Sequence, residues 1–243
     1  MSDSEDDFNN NQIKVVVLGE QNVGKTNIIK RYCYDDFSRI YVPTVGADFF
    51  IKRTSLSKNK EITVRFTDVS GLELAGHMLK TYLFQVNIVI LVYDITEYKS
   101  FDSLAIWLRV VDQIIENNTE SQKLIAVFGN KCDLEHKRSV RLDKTNHFIN
   151  EHQLVNYFVS AKTGENINSA FTELLARYFN VPLTRLEKEK QKMVMKAELI
   201  PNTPVISTKN GCSKMKMKNN VNTVKNKNKK NNAVRSENSC TVQ

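Results

Sequence analysis

Cysteine is scarce: Cys33, Cys132, Cys212 and Cys240 are the four in 243 residues, and they are scattered. No CxxC pair occurs and no spacing suits metal ligands, so a disulfide scaffold and a structural zinc site are both excluded. A reducing cytosol fits this usage best. Long apolar runs are missing as well. None approaches the ~18 residues a spanning helix needs, so any membrane attachment would be post-translational. The opening residues include Asp3, Glu5, Asp6 and Asp7 and hold no apolar stretch, which predicts no secretory signal. Ser2, where glycine would be required, does not fit N-myristoylation.

What is present is a soluble globular composition, 41% apolar and 26% charged. The length allows one sizeable core plus an appendage. The net charge of +8 is unevenly placed: residues 187–243 carry 13 Lys/Arg and 4 Asp/Glu, a net of +9, which leaves residues 1–186 at −1. A nearly neutral domain with a basic tail is a different object from a basic domain. The expected organisation is an acidic extension over residues 1–11, a globular domain over 12–186 and a charged, Asn/Lys-rich tail over 187–243.

Within the domain, Gly19-Glu20-Gln21-Asn22-Val23-Gly24-Lys25-Thr26 matches G-x-x-x-x-G-K-[ST]. An apolar run over 13–18 precedes it, and Asn27-Ile28-Ile29-Lys30-Arg31-Tyr32 follows with a helical pattern. Strand, glycine loop and helix together make a phosphate-binding loop. Its amides and the helix N-terminus would face phosphate oxygens. Lys25 would reach the β- and γ-phosphates, and the Thr26 hydroxyl would hold Mg²⁺.

Downstream, alternation at Ile62, Val64 and Phe66 predicts a half-buried strand over 61–67. Residues 49–56 would pair with it as a hairpin across 57–60. The continuous apolar runs 88–93 and 124–128 suit strands buried on both faces of a parallel sheet. Leu104, Trp107, Leu108, Val111, Ile114 and Ile115 mark one face of a helix. A helix is expected over about 144–152, a strand at 157–159 and a last helix over 170–179. Strands alternating with helices define an α/β fold: a doubly wound, mostly parallel six-stranded sheet flanked by helices. From Pro201 the composition predicts disorder, and 186–199 reads as a possible helical extension.

The base is named by Asn130-Lys131-Cys132-Asp133, directly after the strand 124–128, where ligands sit in such folds. A carboxylate at Asp133 can accept the N1–H and N2–H of guanine. Adenine offers neither and would leave it buried without a partner. That opposes an adenine-specific kinase or ATPase. Ser160-Ala161-Lys162 could present a backbone N–H to the guanine O6. Asp68-Val69-Ser70-Gly71, after the strand 61–67, suits a carboxylate near Mg²⁺ and a glycine amide toward the γ-phosphate. Thr44 could give Mg²⁺ a second hydroxyl, or be a turn residue after Pro43.

GEQNVGKT, YVPTVGADFF, DVSG, NKCD and SAK, in that order over residues 12–182, resemble the Ras superfamily of small GTPases and within it the Rab family. GADFF, GHMLKTYLF, NKCDLEH, FVSAKTG, VMKAELI and CTVQ look most like its divergent branch numbered twenty-eight. The resemblance implies a GTP/GDP switch with Mg²⁺, GTP hydrolysis, and two nucleotide-sensing segments at 36–48 and 68–80. Through these it would meet effectors, an exchange factor and a GTPase-activating partner. It also implies that Phe37 packs against the base and Tyr41 closes over the phosphates. The nucleotide-binding set is then Gly19, Gln21, Asn22, Val23, Gly24, Lys25, Thr26 and Asn27 with Phe37, Tyr41, Thr44 and Gly71. Asn130, Lys131, Asp133, Ser160, Ala161 and Lys162 complete it. Thr26, Thr44 and Asp68 are the metal group. The chain is read as a monomer with no nucleic-acid partner.

Two positions depart from the family pattern. Where a Gln usually orients the attacking water stands Leu72, with neither donor nor acceptor, and the usually small P-loop residue is Gln21. No catalytic residue is assigned, and hydrolysis is expected to be weak while binding stays sound. A GTP-locked, non-hydrolysing membrane-tethered scaffold is the alternative. Leu72 could simply pack the second switch segment, and Gln21 or Glu73 could instead position water.

Cys240-Thr241-Val242-Gln243 matches C-a-a-X with Gln at X, which points to farnesylation by a prenyltransferase. One prenyl chain anchors marginally, and the basic run from Lys209 to Arg235 would add attraction to an anionic membrane. The run has no aromatic for stacking bases, which argues against nucleic acid. Cys212 is a weaker lipidation candidate. The expected location is the cytoplasm, peripheral on the cytosolic face of a membrane. Cys240→Ser is expected to move the protein from the membrane to the soluble fraction, read by fractionation.

Overall fold

The structure is a computed structural model, and it describes residues 12–56, 60–116 and 123–183. These belong to the first of two units, 1–196; the second, 197–243, lies outside the described residues, as do the expected extension at 1–11 and the C-terminal tail for which lipidation is expected.

The elements alternate as the patterns require. Strand β1 (Gln12–Leu18) leads to helix α1 (Lys25–Tyr34), then strands β2 (Ala47–Leu56) and β3 (Lys60–Val69). Short α2 (Leu79–Leu83) precedes β4 (Ile88–Asp94), and α3 (Tyr98–Asp102) and α4 (Leu104–Glu116) precede β5 (Leu124–Asn130). Helix α5 (Leu142–Glu151), strand β6 (Val155–Phe158) and helix α6 (Ile167–Tyr178) complete the order. The sheet runs β2-β3-β1-β4-β5-β6. Among the described residues only the β2–β3 pair is antiparallel, a hairpin in which Phe50 faces Phe66.

The continuous apolar strands are buried on both faces, which is why they do not alternate. In β1, Val15 and Val17 join one core, while Val16 and Leu18 join the other. In β4 the split is Ile88, Ile90 and Val92 against Val89, Leu91 and Tyr93. The first core packs under α1 and α6, centred on Phe171, which stacks on Tyr32 at 4.1 Å and meets Phe66 and Phe128 edge-on at 5.4 Å each. The second packs under the intervening helices, with Trp107 and Val111 of α4 fully buried. The face expected for α4 is therefore the buried one. Helices α5 and α6 begin two and three residues earlier than the periodicity predicts: α5 opens on exposed Leu142, Asp143 and Lys144, and α6 on buried Ile167 followed by polar Asn168 and Ser169.

Asn87 ties the far end of the sheet together. Its side chain accepts the Lys14 N–H at 2.8 Å and donates to the Tyr178 hydroxyl at 2.7 Å. Asn87→Ala would orphan both groups and is expected to cost about 1–2 kcal/mol, read as a lowered urea midpoint with unchanged m.

This topology fixes the site. Strands β1 and β4 are neighbours, yet the connections that follow them run to opposite sides of the sheet. At such a reversal the loops after the strands part and leave a crevice at the carboxyl edge.

Candidate nucleotide site

Five segments meet at that crevice. The first follows β1, where Gly24 caps α1 at φ 95, a backbone shape that L side chains rarely adopt. A Cβ on Gly24 would also lie 2.4 Å from Asn130 Nδ2. Lys25 folds back over the loop, donating to Gly19 O at 2.9 Å and Glu20 O at 2.8 Å. Burial lowers its pKa to about 8, opposed by the Asp68 and Glu20 carboxylates.

Asp68, at the end of β3, is fully buried. Its Oδ2 accepts the Thr26 hydroxyl at 2.5 Å and the Thr44 hydroxyl at 3.3 Å, and those hydroxyls are 3.2 Å apart. Its Oδ1 has no hydrogen-bond partner. Burial pushes the carboxyl up, countered mainly by the Thr26 hydrogen bond and the Lys25 charge. Two hydroxyls gathered on a buried carboxylate with one bare oxygen form a hard oxygen cluster that fits Mg²⁺. Thr26, Thr44 and Asp68 would hold the ion, which supplies neutralisation of phosphate charge when bound.

Gly71 closes on the phosphate loop so tightly that a Cβ there would lie 2.4 Å from Gln21 N and 2.7 Å from Glu20 C. Gln21 and Leu72 both line the cavity of about 120 Å³ beside Thr26, Thr44 and Gly71. The Leu72 side chain is 71% exposed, so it does not pack the second switch segment as one alternative had it. Glu73 is not among the groups lining this cavity; its carboxylate folds against Gly76.

An adjoining cavity of about 210 Å³ is lined by Phe37, Lys131, Asp133, Ala161 and Lys162, and shares Asn22, Gly24, Asn27 and Tyr41 with the first. Asn130 staples its walls, donating to Val23 O at 2.8 Å and accepting the Ala161 N–H at 3.1 Å. Asp133 accepts the Ser160 hydroxyl at 2.7 Å and lies 3.4 Å from Lys162 Nζ. Gly19, Val23 and Ser160 stand behind the cavity walls, acting through Lys25, Asn130 and Asp133 respectively. All five sequence motifs are thus brought together. Sequence reasoning missed Asp94, whose carboxylate pairs with Lys131 Nζ at 2.6 Å. Asp94 is buried and faces Asn130 across β4 and β5, a register the sequence does not display. Within the expected nucleotide-sensing segment 36–48 it did not single out Ser38, which lines both cavities, or Arg39, which lines the second.

Fold and cradle together define a P-loop nucleotide-binding G domain. The family model of the Ras family matches residues 14–180. The chain is 36% identical over 199 residues to Ras-related protein Rab-28 of Caenorhabditis elegans, covering 82% of this chain and 80% of the relative. It is 33% identical to Ras-related protein Rab-13 of Rattus norvegicus over 161 residues, 66% of this chain and 77% of that one. Ras-related protein Rab-10 of Diplobatis ommata is 35% identical over 161 residues, 66% of this chain and 78% of the relative. The chain belongs to the Ras family and is a Rab-family small GTPase, a GTP-binding switch.

Proposed function

We propose that this chain is a Mg²⁺-dependent GTP/GDP switch that binds nucleotide firmly and hydrolyses GTP slowly. The observation that carries the reading is the pairing of a complete cradle with Leu72 at its mouth. Lys25, Thr26, Thr44 and Asp68 gather at one end, and Asp133 with Ala161 and Lys162 at the other. Leu72 cannot hydrogen-bond a water, and exposure leaves its side chain without a packing role. Phosphoryl transfer depends on positioning and charge stabilisation rather than covalent chemistry, so a missing water-orienting group slows it directly. Gln21 adds bulk where a partner's arginine would enter.

In this reading Phe37 covers the base, Tyr41 covers the phosphates, and segments 36–48 and 68–80 change with the nucleotide. Exposed Val42, Val45 and Met78 give effectors, an exchange factor and any activating partner an apolar surface there. Tethering by a farnesyl group at Cys240 and the basic run lies outside the described residues and rests on sequence. No described helix is long and apolar enough to cross a membrane.

A second reading, a GTP-locked scaffold, is favoured by the same exposed Leu72. Mass analysis of the nucleotide carried through purification, followed over hours, separates the two. GDP accumulating over hours supports the slow switch. GTP that persists unchanged supports the scaffold. GTP consumed within minutes without a partner would overturn both.

A further inference from the structure

Arg31 lies on α1 and lines neither cavity, yet its side chain is only 17% exposed. Its Nε–H donates to Ala161 O at 2.9 Å and its Nη2 to Lys162 O at 2.8 Å. Its Nη1 donates to Asp35 O at 2.9 Å and to the Asp35 carboxylate at 3.0 Å. The guanidinium carbon stands 5.9 Å from the centre of the Phe37 ring. An exposed ion pair with Asp35 would need one edge of the fork and would contribute little. Here the other donors are spent on main-chain oxygens of a loop 130 residues away.

Those oxygens set the loop's orientation. In a trans peptide the C=O and the following N–H point in opposite directions. Holding Ala161 O on Arg31, which lines neither cavity, therefore turns the Lys162 N–H away from Arg31, and Ala161 and Lys162 themselves line the second cavity. The next peptide shows the same rule at work. With Lys162 O held by Arg31, the Thr163 N–H points away and donates to Ser160 Oγ at 3.2 Å.

We propose that Arg31 is a positioning residue for guanine recognition, holding the 161–162 loop so that the Lys162 N–H meets the purine oxygen at position 6. This rests on the guanine reading of Asp133 and of Ala161 with Lys162 given above. Lysine cannot replace Arg31, because a single ammonium cannot serve two carbonyls in a fixed fork while also reaching Asp35.

The test measures the affinity of full-length protein, native and Arg31→Met, for three diphosphates by competition against a fluorescent GDP. GDP is compared with 6-thio-GDP, which keeps N1–H and the 2-amino group but carries sulfur, a weaker acceptor, at position 6. Inosine diphosphate lacks the 2-amino group and reports on Asp133. R31M is expected to weaken GDP by about tenfold, the worth of one buried hydrogen bond, and 6-thio-GDP by less than about twofold. The preference for GDP over inosine diphosphate should persist. Equal weakening of all three, or no weakening of GDP, would overturn the role. If native protein distinguishes neither analogue from GDP, the guanine reading fails first and takes Arg31's role with it. Should R31M not fold, the same ratios are read on R31K, which keeps charge and stem but loses the fork.

Discussion

Asp133→Ala is expected to weaken GDP binding by on the order of 10²–10⁴. The carboxylate is held on both sides, by the Ser160 hydroxyl at 2.7 Å and Lys162 Nζ at 3.4 Å, and its side chain is 11% exposed. A base seated beside it would offer two N–H donors to one fixed, largely desolvated anion. Each hydrogen bond to a charged group is worth about 1.5–3 kcal/mol, so two amount to roughly 3–6 kcal/mol and the stated range of affinity. Truncation also removes the penalty that excludes adenine, because no buried acceptor is left without a partner. Preference for GDP over ADP should therefore collapse together with affinity. Calorimetric titration of both nucleotides checks this. A variant that holds GDP within tenfold of the native protein would show that the base is read elsewhere.

Leu72→Gln is expected to raise the single-turnover rate of GTP hydrolysis on the order of a hundredfold, the lower end of what a positioned side chain contributes to proton-coupled steps. The backbone there is already in place: Leu72 N–H lies 3.4 Å from Ser70 Oγ, and Gly71 is pressed against Gln21. What is lacking is a donor and acceptor at the end of an exposed side chain. Because that side chain is 71% exposed, the exchange disturbs no packing, and the melting temperature should hardly move. Nucleotide affinity should also stay put, since Leu72 lies beyond the groups that grip phosphate. Quenched-flow or slow phosphate release on preloaded protein measures the gain. If L72Q changes nothing and the native protein already turns over at an ordinary rate, Gln21 positions the water in its place.

Much of this was legible in the chain. The spacing of Gly19 to Thr26 after an apolar run pointed to a phosphate loop, and Asp133 after strand 124–128 pointed to the cavity proposed for the base. Both signals are local, since each sits within a few residues of a strand end. The unbroken apolar runs of β4 and β5 announced burial on both faces; β4 is buried throughout and β5 from Ala126 onward, with Leu124 and Ile125 half-buried. The helix starts were less legible. Charged, exposed first turns such as Leu142-Asp143-Lys144 look like loop until an exposed helix face accounts for them.

Sequence by itself determined the order of elements and the chemical groups available: side chains suited to phosphate, metal and guanine, and a Leu72 side chain with neither donor nor acceptor. Those follow from side-chain chemistry and short-range periodicity, which the chain displays directly. Only the tertiary structure decided that Thr26, Thr44 and Asp68 converge within hydrogen-bonding distance, that Asp94 holds Lys131, and that Arg31 grips a loop 130 residues away. Such contacts depend on strand order and register across the sheet. Those are set by the packing of two cores at once, and no stretch of the chain carries that information alone.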